Sequence, residues 1–152
     1  MFPIRTLATA LILLCLIAPA LAQDFVETPR PDSFRGLAWG APLADIPDLE
    51  RVPGPNYRDT YHRAEERLSF GDAEIVSVAY YFRNDRLYRV GVAFTGRANH
   101  FLIKERLLGQ YGQGRGVGSR YGWMWPDFSV ELTYDDAAGT GALYYTFEGG
   151  LD

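Results

Sequence analysis

Residues 127–135 alternate without exception between apolar and polar side chains. Phe128, Val130, Leu132 and Tyr134 fall on one side, and Asp127, Ser129, Glu131, Thr133 and Asp135 on the other. A period of two marks a strand with one buried face, because successive side chains leave a strand in opposite directions. The flanking residues supply its partners. With Pro126-Asp127 as the turn, Trp125 falls opposite Phe128, Trp123 opposite Val130 and Tyr121 opposite Leu132. All three pairs are apolar and share a face, which pins the register, since a slip of one residue turns every side chain over. After a turn at residues 136–139, Leu143, Tyr145 and Phe147 continue the face. This segment commits the chain to an antiparallel sheet.

The middle of the chain reads the same way. Residues 75–83 and 87–95 flank Asn84-Asp85, two residues that tolerate the positive φ of a tight hairpin turn. That spacing sets Phe82 opposite Leu87 and Tyr81 opposite Tyr88. Residues 67–70 form a further strand, ended by Gly71-Asp72. Residues 98–111 carry helical periodicity, with Phe101, Ile103, Leu107, Leu108 and Tyr111 on one arc, Asn99 as a cap and Gly112 at the position after the last turn. Pro42 opens a short helix that Pro47 stops. The expected class is therefore α+β: an antiparallel sheet of about six strands with one main helix on one face. Short helix and three strands, then long helix and three strands, also reads as a decayed tandem repeat.

The first 22 residues have a different character. Arg5 precedes an uncharged, mostly apolar run, and Ala18-Pro19-Ala20-Leu21-Ala22 offers a small-x-small cleavage pattern, so residues 1–22 read as a secretory signal. The run of 17 uncharged residues from position 6, broken by Pro19, falls short of the roughly 20 that a spanning helix needs. Cleavage before Gln23 leaves residues 23–152, without the only cysteine, Cys15. Thiol chemistry, disulfides and cysteine metal sites leave with it. Residues 23–33 are a polar, proline-punctuated flexible lead-in, and residues 34–150 a single domain. The expected location is the periplasm or the cell exterior, with no stable membrane insertion after cleavage.

Phe34-Arg35-Gly36-Leu37-Ala38-Trp39-Gly40, the Tyr80-Tyr81-Phe82 hairpin and the Tyr111-Gly112 helix end together resemble a group of small exported bacterial proteins of uncharacterised function. The two-helix, sheet-backed layout is similar to that of the outer-membrane-assembly lipoproteins and the β-lactamase-inhibitor proteins. The lipidated cysteine of the lipoproteins has no counterpart here, and neither resemblance implies catalytic residues.

The usual chemistries find little support in the residues. Gly112-Gln113-Gly114-Arg115-Gly116-Val117-Gly118 follows a helix instead of opening one, so it lacks the helix N-terminus that a phosphate loop requires and reads as a connector. His62 and His100 are the entire imidazole supply, 38 positions apart, and form no zinc motif. His100 falls within the apolar arc of the helix. Asp127 and Glu131 share a strand face but stand roughly 13 Å apart, beyond a glycosidase pair. No serine sits in a nucleophile elbow. No cofactor motif is present. The net charge of −4 argues against nucleic acid as a partner. Trp123 and Trp125, over Val130 and Phe128, read as core before sugar platform.

One feature points to function. The central hairpin looks apolar on both faces, with Ile75, Ala79, Tyr81, Tyr88, Val90, Val92 and Phe94 on one and Val76, Val78, Tyr80, Phe82 and Leu87 on the other. If the helix covers one face, Val78, Tyr80, Phe82, Leu87 and Arg89 form a binding surface on the second, unless residues 34–39 cover it. The expectation is a non-catalytic binding or envelope-associated protein, with a protein or envelope component as partner. The alternative is a small periplasmic hydrolase using carboxylates that the fold assembles.

Overall fold

A computed structural model describes residues 25–151, so the signal reading of residues 1–22 lies outside the described residues. The chain is mostly β. Twelve strands form three sheets: β1 (Ser33–Phe34) and β2 (Leu37–Ala38), β5 (Ser69–Phe70) and β6 (Ala73–Glu74), and one large antiparallel sheet. The large sheet holds β3 (Leu49–Arg51), β4 (Thr60–Arg63), β7 (Ser77–Arg83), β8 (Arg86–Thr95), β9 (Arg115–Val117), β10 (Arg120–Trp125), β11 (Phe128–Asp135) and β12 (Thr140–Phe147). Their spatial order is β3-β4-β7-β8-β12-β11-β10-β9. Two four-stranded meanders thus meet at their last strands, β8 and β12.

The expected six-stranded α+β layout is overturned. The large sheet has eight strands, each half of the chain contributes four where the repeat reading assigned three, and α1 (Arg97–Tyr111) is the single α-helix among the described residues. Nor is α1 a full second layer. Only Ile103 and Leu107 are buried on it, while Phe101, which periodicity placed on the inner arc, is 61% exposed. The remaining cover comes from the N-terminal segment on the same side of the sheet. Phe34 lies edge-on to Tyr80 and Trp39 packs on Phe128 and Tyr145. The short helix is a single 3₁₀ turn at Leu43–Asp45.

The missed strands lack the signal that marked the others. β3 and β4 are short and flank a loop rich in proline and glycine, and β9 lies within the glycine run read as a connector. The lead-in is tied down as well. The Val26 N–H donates to the Met124 carbonyl, and the Trp125 indole donates to the Thr28 carbonyl at 2.6 Å. It occupies the part of the β10 edge that β9, paired only with Arg120, Tyr121 and Gly122, leaves open.

The clearest sequence inference stands. β10 pairs with β11 as Trp125↔Phe128, Trp123↔Val130 and Tyr121↔Leu132. Trp123 and Trp125 are buried, and the Trp123 indole donates to the Gly112 carbonyl. Gly112 ends the helix with φ 76°, a conformation glycine adopts without strain. Asn84 and Asp85 make the hairpin turn with φ of 50° and 58°.

Candidate functional site

The hairpin register decides which face is free. Phe82 pairs with Leu87 as expected, but Tyr81 pairs with Arg89, because a β-bulge between Tyr81 and Phe82 leaves Tyr88 as an extra residue on β8. The bulge reverses the parity of β8. Leu87 therefore points to the same side as Val90, Val92 and Phe94, and all four are buried. Val90, Val92 and Phe94, read from the sequence as one apolar face, and Val78, Tyr80, Phe82 and Leu87, read as the other, lie together on one buried face. Val78, Tyr80, Phe82 and Leu87, the expected binding surface, are core residues at 4%, 0%, 4% and 0% exposure, beneath the N-terminal segment and α1. They offer nothing to a partner. Arg89, assigned to the same surface, stands on the other side of the sheet.

Among the described residues, α1 and residues 34–39 pack on the first side, and the centre of the other side is open. Across its centre, β7 places Ala79 and Tyr81, β8 places Arg89, Gly91 and Ala93, β12 places Ala142, Tyr144 and Thr146, and β11 places Ser129, Glu131 and Thr133. Small residues leave room for large ones. A methyl group on Gly91 would stand 2.9 Å from the Tyr144 ring and 3.3 Å from Tyr81, so the absence of a side chain there lets both rings lie over the β8 backbone. The Arg89 guanidinium stacks on Tyr144 at 4.1 Å from the ring centroid and lies 6.0 Å from that of Tyr81. Arg83 stacks on Tyr88 at 4.3 Å. Burial, followed by the neighbouring Tyr144 hydroxyl, raises the Tyr81 pKa, so its phenol stays neutral at physiological pH.

Arg89 is held but not neutralised. Its Nε is buried and has no hydrogen-bond partner, the one such side-chain atom among the described residues. A buried donor without an acceptor is unfavourable, by about 1–3 kcal/mol. Contact with the Tyr144 and Tyr81 rings holds the guanidinium, which carries five N–H donors in a rigid fork, over β12 and β7.

Several acidic side chains are engaged in ion pairs or hydrogen bonds. Asp127 pairs with Arg30 at 3.1 Å, Glu148 with Arg83 at 3.9 Å and Asp136 with Arg97 at 2.8 Å. Asp135 accepts from the Ala137 and Ala138 N–H groups. Glu66 bonds to Arg35 and accepts the Tyr80 hydroxyl at 2.6 Å. Burial, then the bond to Glu66, pushes the Tyr80 phenol well above its ordinary range. This cluster closes residues 64–68 over the core, since Arg35 also donates to the Arg67 and Ser69 carbonyls. Among the described residues no group of three His, Cys, Asp or Glu side chains is placed to hold a metal ion.

Sequence reasoning found Arg89 but not its neighbours Tyr144 and Gly91, which lie on the β8–β12 pairing between distant parts of the chain. Comparison with protein-family models, with curated proteins and with solved structures finds no match for this chain.

Proposed function

We propose that this chain is an exported, non-catalytic binding protein that docks a protein partner on the open face of its large sheet, with Arg89 receiving a carboxylate of that partner. The observation that carries the reading is the unpartnered Arg89 Nε within a tyrosine-lined patch. Tyrosine and arginine are the residues most enriched where interfaces concentrate their binding energy, because each brings a large, stiff contact area with a polar tip. An acidic side chain fits best. Two parallel N–H···O bonds to a guanidinium fix the orientation of a carboxylate.

The test is site-specific photo-cross-linking in the native host. A photoreactive residue at Thr146, beside Arg89 on the open face, is compared with one at Glu105 on the exposed side of α1. The reading expects one acidic protein to be captured from Thr146 and not from Glu105, and to be lost when Arg89→Met is added. Arg89→Met removes an unsatisfied buried donor and keeps the length of the stem, so its melting temperature should not fall. Equal capture from both positions, or capture indifferent to Arg89, refutes the reading.

A further inference from the structure

A second recess lies between α1 and the β9–β10 turn and shares no residue with the open-face patch. Arg97, His100 and Lys104 stand at i, i+3 and i+7 of α1, so they line one helix face. The β9–β10 turn brings Ser119 and Arg120 against that face, and together they border a cavity of about 580 Å³.

Its charge runs against that of the chain. Arg97, Lys104 and Arg120 face a single carboxylate, Asp136, in a protein whose formal charge is −4. Asp136 is already taken up by Arg97. Arg120 has no ion-pair partner among the described residues. The Lys104 ammonium is held 4.4 Å above the Tyr121 ring, which keeps a long, mobile side chain at the recess.

His100 lies in an aromatic stack. Its ring lies within 7° of parallel to Tyr134 at 4.7 Å, and within 3° of Phe94 at 6.2 Å. Burial, then Lys104, lowers its pKa, while Asp136 opposes them, so the imidazole is neutral at pH 7. The charged and titratable groups facing it are Arg97 and Lys104 from α1, Arg120 and Tyr121 from β10, Tyr134 from β11, and Asp136.

We propose that this recess binds a tetrahedral oxyanion of the phosphate or sulfate class, with Lys104 and Arg120 supplying the charge and His100 a fixed N–H donor. A tetrahedral anion presents oxygens in several directions and so can accept from a helix face and the adjoining strand at once, and the excess positive charge offsets the cost of desolvating it. A bound dianion favours protonation of His100, so affinity rises as pH falls through the imidazole range.

The test is an NMR titration of the protein, as recovered from its host, with sodium sulfate, whose own charge is constant between pH 5.5 and 8, at ionic strength held constant with chloride. Saturable shifts are expected at the Ser119 and Arg120 amides and the His100 ring. Lys104→Gln with Arg120→Gln should weaken binding tenfold or more with the fold intact by the same spectra. Affinity should be greater at pH 5.5 than at 8, and His100→Asn should remove that dependence. Inorganic phosphate, run in parallel, separates the two anions by their relative affinity. Shifts that fail to saturate, or equal binding by the double variant, overturn the proposal.

Discussion

Gly141→Ala adds one methyl group to the β8–β12 pairing, one residue in from its end, where Gly141 stands directly opposite Phe94. An ideal Cβ at Gly141 would lie 2.2 Å from Phe94 Cζ, 2.5 Å from Phe94 Cε2 and 2.7 Å from the Thr133 carbonyl oxygen. Ordinary carbon contacts are about 3.5–4.0 Å, so the ring would have to retreat by more than an ångström. It has nowhere to go. Phe94 is 1% exposed and lies nearly parallel to both Tyr134 and His100. The third contact is backbone of β11, which cannot rotate aside. Overpacking a core costs about 1–3 kcal/mol, and a clash with both a fixed ring and a neighbouring strand belongs at or above the upper end, about 3 kcal/mol. For a domain of this size that is a fall in Tm of about 10–15 °C. Urea unfolding followed by tryptophan fluorescence measures it, with the m-value unchanged if the native fold survives. Phe94→Leu removes the clashing ring edge, so its cost should be smaller in the Gly141→Ala background than alone, a coupling of about 1 kcal/mol or more. The same change at Gly109, in α1 with nothing within 4 Å of the added methyl, should instead stabilise by about 0.5–1 kcal/mol. A Gly141→Ala variant within 1 kcal/mol of the parent, or strictly additive with Phe94→Leu, refutes the argument.

Trp123→Ala removes a buried indole and its bond to the Gly112 carbonyl, and urea unfolding should show a loss of about 3–5 kcal/mol. Glu66→Ala leaves Arg35, only 15% exposed in its side chain, without its carboxylate, and the same measurement should show a loss of about 3 kcal/mol or more. Tyr80, Tyr81, Tyr111 and Tyr145 all have raised pKa values, chiefly through burial. An acid whose folded pKa exceeds its unfolded value stabilises fully below the unfolded pKa, about 10 for tyrosine, and that contribution fades as pH rises beyond it. Melting temperature should therefore drop steeply above pH 10, and a flat profile to pH 11.5 would contradict the buried state of these phenols.

The second half of the sheet was legible because its information is local. In residues 121–134 the apolar side chains recur at a strict period of two across a short turn, so pairing neighbours in sequence settles both strand and register. The helix and its glycine stop were legible for the same reason, although the buried arc proved narrower than the periodicity suggested, because α1 meets the sheet along Ile103 and Leu107 only. The candidate site was half legible. Arg89 was identified, but on the wrong face, and the signal that corrects it was present: the inward residues of β8 change parity between Leu87 and Val90. A strand with both parities apolar is either buried twice or bulged, and composition does not distinguish the two. Only the tertiary structure decided that, by placing the N-terminal segment and α1 on the same side of the sheet. Pairing of β8 with β12, some 50 residues apart in the chain, then brings Tyr144 over Gly91 and beside Arg89. Local periodicity determines the strands whose apolar side chains alternate, β7, β8 and β10 to β12; the short strands β3, β4 and β9, and which face stays open, depend on contacts between segments whose separation no local period records.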